Sequence, residues 1–359
     1  RGISKNDWAN LLTDRKRPLS NKSVSDAYPP GSLFKMIVAI AALERRVITE
    51  TDEVFCTGIY EIGESKHHCW LRNGHGSINL RKGLKRSCDV YFYEIAQRVG
   101  IDAIAETAKK FGLSDTFSLP VSAISKGLIP TKAWKKSTYN ERWLLGDTLN
   151  AGIGQGYILA TPMQIAVMTA RMTTGKAVVP RLINAKDGNV IPIEAPESLQ
   201  VSNSILSKIR SSLISVVNDK DGTAYKSRIS DSKFMLAGKT GTAQVRRITA
   251  QERKIGVKKN EDLPWRKRDH ALFTGYAPTN KPKYAISVIV EHGGGGSAVA
   301  APIARDIMLY AFHGKIPPLS SYPLDQRSAV EVLLNQIDGQ SNREMKKKSP
   351  QNQVRENQT

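Results

Sequence analysis

Tyr28-Pro29-Pro30-Gly31-Ser32-Leu33-Phe34-Lys35 places prolines and a glycine immediately before an apolar run. The spacing of Phe34, Ile37, Val38 and Ala41 is that of an amphipathic helix, expected to end near Arg45-Arg46. Residues three apart share a helix face, so Lys35 can reach the Ser32 hydroxyl. The helix N-terminus favours negative charge developing beside that serine. Such a pair can support nucleophilic attack, but it also recurs by chance on solvated helices, so its meaning depends on the rest of the chain.

Working outward, helical stretches are expected over Val90 to Val99 and Ile101 to Phe111, the second stopped by Gly112. A third runs from Pro162 to Met172, with Thr161 as N-cap and Pro162 at the first helical position. The pattern then changes. Phe234 to Leu236 with Thr240 to Val245, Ala271 to Tyr276 and Tyr284 to Val290 read as neighbouring antiparallel strands. Asn280 to Lys283 supplies a turn, and Gly293 to Gly296 leads into a last helix over about Ala298 to Phe312. Helices followed by a strand cluster predict an α+β fold in one domain spanning residues 1–314. Residues 315–359 are polar and basic and are expected to be a disordered tail. The segment Arg246 to Arg268, rich in Arg and Lys and broken by Pro264, reads as a solvated loop or as an electropositive lid beside a site.

The 359 residues are 40% hydrophobic and 24% charged, an ordinary globular composition, with a net charge of +20. That field favours anionic partners. There is no aromatic RNA-binding motif, paired-histidine zinc-finger spacing or basic heptad array, which argues against nucleic acid as a partner. The longest apolar stretch, Met36 to Leu43, is far shorter than a membrane span.

Two further segments give Ser32 and Lys35 their context. Ser87-Cys88-Asp89 follows in the helical part, and Lys239-Thr240-Gly241-Thr242 lies in the strand cluster. This three-part set, in this order, resembles the signature of β-lactamases and penicillin-binding proteins. Gly152-Ile153-Gly154-Gln155-Gly156-Tyr157 followed by Thr161-Pro162-Met163-Gln164 is similar to a segment of penicillin-binding transpeptidases; as plain sequence it is a glycine-rich turn before a capped helix. Ile3 to Trp8, Arg17-Pro18-Leu19, Tyr28 to Ser32 and Asp89 resemble the penicillin-binding protein 2 branch, the class B D,D-transpeptidases of the rod-elongation machinery. The resemblance runs from about Gly2 to Phe312.

The resemblance implies a five-stranded antiparallel sheet flanked by helices, with the active site where an all-helical lobe meets the sheet. It implies a serine acyl-enzyme on Ser32, Lys35 as general base, Ser87 relaying a proton, and Asp89 positioning its neighbours. An ordinary lysine is protonated at neutral pH, so a base role requires burial and a neighbouring cation such as Lys239, against the pull of Asp89. Backbone N–H groups of Ser32 and Thr242 are the expected oxyanion donors, and Lys239, Thr240, Gly241 and Thr242 are expected to hold the substrate carboxylate. The implied partners are peptidoglycan stem peptides, β-lactam antibiotics, and the rod-shape glycosyltransferase with other membrane proteins of the elongation complex. The implied location is the periplasmic face of the bacterial inner membrane, with the membrane anchor, a pedestal domain and the first strands of the sheet expected to precede Ile3. A β-lactamase, a D,D-carboxypeptidase and a non-catalytic β-lactam sensor or scaffold share the same motifs and are the alternatives.

No cofactor is expected for catalysis, but a structural zinc ion is. The chain's three cysteines, Cys56, Cys69 and Cys88, lie close together, and with His75 they make a closed tetrahedral Cys3His shell. His67 and His68 are reserve ligands. A Cys56 to Cys69 disulfide and three buried free thiols are the competing readings.

Overall fold

The structure, a computed structural model, describes residues 2–336. At its centre lies the helix Lys35–Glu44, entered through a 3-10 turn at Gly31–Leu33. Every residue from Lys35 to Leu43 is buried, so the helix is covered on all sides rather than on the single face its apolar spacing predicts. The cause is its surroundings: helices Asp89–Val99, Ile101–Lys110 and Asn203–Asn218 all pack against it. Alanines at positions 39, 41 and 42 let these neighbours approach closely.

Local chemistry fixes the boundaries that the sequence predicts best. Thr161 accepts from the Gln164 N–H while Gln164 accepts from the Thr161 N–H, a reciprocal cap that starts helix Pro162–Thr174. The helix then stops at Gly175 in the left-handed region. Asn203–Asn218 has the same logic, with Ser202 as N-cap and Leu206, Ile209, Leu213 and Val216 along one buried stripe.

Three antiparallel strands form the sheet, in the order Ala237–Ala243, His270–Ala277, Tyr284–Val290. The register pairs Lys239 with Thr274 and Ala271 with Val290. Helix Ala300–His313 packs on two of the strands, while Pro162–Thr174 and Asn203–Asn218 also contact the sheet. The result is the α+β arrangement expected, and the described residues supply three of the five strands implied. The first strand differs from its predicted bounds, since Phe234 belongs to a 3-10 turn at Ser232–Phe234 and pairing begins only at Ala237.

Residues 53 to 79 carry two small ribbons, Val54–Cys56 with Gly76–Ile78 and Ile59–Ile62 with Ser65–His68. These cover one side of the helical lobe beside helix Asp89–Val99. At the other end, part of the expected disordered tail is ordered. Residues 319–326 form two 3-10 turns, and 327–336 are helical. Tyr322 explains this departure: its ring is buried against the Arg305 guanidinium at 4.8 Å, an apolar anchor within otherwise polar sequence. The rest of that tail, residues 337–359, lies outside the described residues.

Candidate active site

The serine turn is wedged between two backbones. Gly31 has φ +52°, and a Cβ there would come within 2.5 Å of the Thr242 carbonyl oxygen. On the opposite strand, a Cβ at Gly241 would meet the Leu33 side chain at 3.0 Å and the Pro30 oxygen at 3.2 Å. Only glycine on both sides lets the turn carrying Ser32 lie against strand Ala237–Ala243. The Gly31 N–H donates to the Gly154 oxygen at 2.9 Å, so the glycine-rich turn at Gly152 to Tyr157 forms a third wall.

Ser32 lines a cleft of about 910 Å³ together with Ser87, Asp89, Asn150, Thr240 and Thr242. All three sequence segments therefore meet there. Lys35 lies beneath it, fully buried. Its Nζ donates to Asp89 Oδ1 at 2.7 Å, to the Ser87 carbonyl at 2.9 Å and to Ser87 Oγ at 3.3 Å. Among the described residues it makes no hydrogen bond to Ser32, because a carboxylate and a carbonyl on the adjacent segment already satisfy its ammonium. Ser87 itself has φ +55°, an uncommon conformation for a serine, which turns its carbonyl and hydroxyl toward Lys35.

Lys239 is also fully buried, and its Nζ donates to the Thr240 carbonyl at 3.0 Å. Its pKa is pushed well below the ordinary lysine value by burial and then by the Lys35 charge, with Asp89 opposing. Lys239 does not line the cleft, whereas Thr240, Gly241 and Thr242 do. Thr240 Oγ1 is bonded at 2.7 Å to Thr223 Oγ1, and Ser297 donates to the Thr223 carbonyl. Thr223 and Ser297 belong to no recognisable motif in the sequence. The turn Asp219 to Thr223 was the only local signal for the first, and the Gly293 to Gly296 run for the second.

Behind Ser87 and Asp89, Cys56, Cys69, His75 and Cys88 present four ligand atoms within 4.8 Å of one another. The thiols are free. His75 Nδ1 lies 3.4 Å from Cys69 Sγ and 3.7 Å from Cys56 Sγ, while its buried Nε2 has no hydrogen-bond partner among the described residues. Hydrogen bonds from Cys88 and His75 hold the Cys69 thiol down to about 3 against burial. Its bond to Cys69, and then burial, push Cys88 up, and burial pushes up Cys56. Three soft donors and an imidazole around one point, with negative charge already favoured on one sulfur, fit a tetrahedral divalent cation. His67 and His68 stand apart from the cluster: the His67 ring packs on Tyr93, and the His68 carbonyl accepts from the Tyr93 hydroxyl. The Cys69 sulfur accepts the Asp89 N–H at 3.4 Å, and the next residue, Trp70, gives its N–H to Asp89 Oδ2 at 2.8 Å. The cluster thus touches the residue that holds Lys35. Trp70 was not foreseen, since a lone tryptophan next to a cysteine carries no sequence signal for that contact.

The peptidoglycan D,D-transpeptidase MrdA of Haemophilus influenzae is 35% identical over 348 residues, covering 94% of this chain and 53% of that protein. The crystal structure of Pseudomonas aeruginosa PBP2 in complex with WCK 5153 superposes with a TM-score of 0.76 at 35% identity, covering 90% of this chain and 70% of that one. PBP2 of Helicobacter pylori, in a complex with MreC, gives a TM-score of 0.75 at 35% identity over 88% of this chain and 55% of that one. The chain spans about half the length of the curated relatives it matches. With the family described as penicillin binding protein transpeptidase domain matching residues 4–309, the chain belongs to that family.

Proposed function

We propose that this chain is the catalytic part of a peptidoglycan D,D-transpeptidase that crosslinks stem peptides through a serine acyl-enzyme during cell elongation. The observation that carries this reading is the convergence of Ser32, Ser87, Asp89, Thr240 and Thr242 on one cleft, above the buried Lys35 and Lys239.

Ser32 Oγ attacks the carbonyl joining the two terminal D-alanines of a stem peptide, with Lys35 as the general base for its proton. The backbone N–H groups of Ser32 and Thr242 receive the negative charge that develops on the carbonyl oxygen. The C–N bond then breaks, and Ser87 relays a proton from Lys35 to the departing amine, so that D-alanine leaves and Ser32 carries an ester. An amine of a second stem attacks that ester, forming the crosslink and returning the proton to Ser32. Thr240 and Thr242 bind the terminal carboxylate, Gly241 keeps the strand close enough for them to do so, and Lys239 lies buried beneath them. Asp89 positions Lys35. β-Lactams enter as mimics of the same dipeptide.

Cys56, Cys69, His75 and Cys88 would hold a structural zinc ion, which supplies no chemistry to the reaction. Its effect would be mechanical, because Cys88 separates Ser87 from Asp89 and Cys69 accepts the Asp89 N–H. The family and the MreC complex of the Helicobacter pylori relative support a place among membrane proteins of the elongation complex, including the rod-shape glycosyltransferase, at the periplasmic face of the inner membrane. Among the described residues no helix is long and apolar enough to cross a membrane.

The test is covalent labelling with a fluorescent penicillin, followed by peptide mass spectrometry. The adduct is expected on the peptide containing Ser32, and Ser32→Ala should abolish it. An adduct on Ser87 would overturn the assignment. Slow hydrolysis of the penicilloyl ester and transfer to an added amine acceptor are expected; rapid turnover would mark a β-lactamase.

A further inference from the structure

The cleft also carries positive charge that the mechanism above does not use. Arg72, on the turn between Cys69 and His75, and Arg253, in helix Ala250–Ile255 of the basic loop, line the same cleft as Ser32. They come from segments far apart in sequence and are held together by a hydrogen bond from Arg72 Nη1 to the Arg253 carbonyl oxygen at 3.2 Å. The backbone under Arg72 is fixed, since its carbonyl lies where a Cβ on Gly58 would come within 2.0 Å.

Neither guanidinium has a carboxylate within salt-bridge distance among the described residues, unlike Arg98 with Glu94, Arg171 with Asp115 or Arg246 with Glu252. The cleft offers none to spare. Asp89 is taken by Lys35 and the Trp70 N–H, and Asp269 is bonded to Asn260 and the Val245 N–H. Burial and the nearby Arg72 charge push the Arg253 pKa down, while Tyr93 and Glu252 oppose. Two like charges that act on each other in one cleft, with no carboxylate partner among the described residues, are poised for an anion. A planar guanidinium pair suits a carboxylate in particular.

We infer that Arg72 and Arg253 form a carboxylate-binding subsite for a stem peptide in the cleft. The inference rests on the transpeptidase reading and deepens it. The anion is a carboxylate within the peptide, separate from the terminal one held by Thr240 and Thr242. Either the donor stem or the acceptor stem can supply it.

Two pairs of synthetic peptides test this with the whole chain. In the donor arm, peptides ending in D-Ala-D-Ala carry either an internal free carboxylate or its primary amide, and D-alanine release is measured. In the acceptor arm, amine-bearing peptides differ in the same way, and transfer from the acyl-enzyme is measured. The protein should prefer the acid over the amide on the order of tenfold in kcat/KM in one arm, which identifies the stem. Arg72→Gln with Arg253→Gln should bring that ratio to about one, as expected when the charge-assisted contact is removed. If the double variant does not unfold cooperatively, Arg72→Gln alone decides, because that side chain is exposed; its ratio should fall at least about threefold. Release without any acid preference, or a preference that survives the substitutions, overturns the subsite alone. Absence of D-alanine release from every peptide overturns the catalytic reading beneath it.

Discussion

Lys35 Nζ lies 2.7 Å from Asp89 Oδ1, an ion pair between a fully buried lysine and a carboxylate whose own side chain is only 12% exposed. The other carboxylate oxygen accepts the Trp70 N–H, so Asp89 links the central helix to the turn that begins at Cys69. Removing one partner of such a pair leaves the other charged and uncompensated. Asp89→Ala should therefore cost about 3–5 kcal/mol in denaturant unfolding and slow penicillin acylation as well. Asp89→Asn removes the charge and one of the two acceptor oxygens, since an amide NH2 cannot accept from Lys35 or from the Trp70 N–H, and should lose nearly as much. An Asp89→Asn variant as stable and as fast as the parent would mean that the charge on Asp89 is irrelevant to holding Lys35.

For Lys35 itself, replacement by alanine should slow acylation by about 10²- to 10⁴-fold, the usual range for a general base. Stopped-flow measurement with a chromogenic β-lactam reads this directly. A loss of only a few-fold would remove Lys35 from the proton-transfer role and leave it a structural partner of Asp89.

Lys239 offers a test through pH. Its folded-state pKa is depressed, by burial first and by Lys35 second, so the unfolded chain binds a proton more readily there than the native state does. The penalty is fully present below the depressed value. It fades as pH rises from that value toward about 10.4, where lysine in the unfolded chain also loses its proton. Lys239→Met should accordingly be more stable than the parent at pH 7, by about 1 kcal/mol or more, while acylation falls. That advantage should shrink as pH rises toward about 10.4. A stability difference that does not change with pH would show that desolvation of Lys239 is not what the fold is working against.

The cysteine cluster predicts a coupled loss. Cys88→Ser should lower thermal stability and acylation rate together, because residue 88 separates Ser87 from Asp89 and the cluster sulfur of Cys69 accepts the Asp89 N–H. Protein purified without chelator should carry about one zinc per chain by elemental analysis, as a closed four-ligand site requires. Metal-free protein with unchanged melting temperature and normal acylation would remove the site.

How much of this was legible beforehand follows from which forces are local. Thr161, Pro162 and Gln164 define a helix start by side-chain chemistry within four residues, and Tyr284–Val290 alternates and branches as a strand should. Ala237–Ala243 was harder, because its Gly-Lys-Thr-Gly-Thr sequence is set by the approach of the serine turn rather than by strand propensity. The proposed catalytic residues are recognisable as motifs, yet the motifs do not reveal that Lys35 and Lys239 are fully buried or that Lys239 stays outside the cleft. Trp70, Thr223 and the Arg72 and Arg253 pair act through contacts between distant segments, and no spacing in the chain encodes those.

The basic loop carries the last prediction. Residues 246–268 leave strand Ala237–Ala243, form helix Ala250–Ile255 and return into strand His270–Ala277, so both ends are anchored in the sheet next to the site. Two of its residues, Ile248 and Val257, line the cleft along with Arg253, and the Arg246 to Glu252 pair, at 2.7 and 2.6 Å, braces the helix. The loop is therefore a shaped flank of the cleft, while Arg247, Lys258 and Lys267 remain exposed and point charge into solvent. Such exposed charges act at long range, on encounter rather than on chemistry, and salt screens them within about 10 Å at 0.1 M. Reversing all three to glutamate should slow association with anionic polymeric glycan-peptide about tenfold at low ionic strength, with the difference shrinking as salt is added. Acylation by a small β-lactam at saturating concentration, which needs no long-range attraction, should change far less. Equal association rates for the two proteins at low salt would reduce these three side chains to ordinary solvation of a loop.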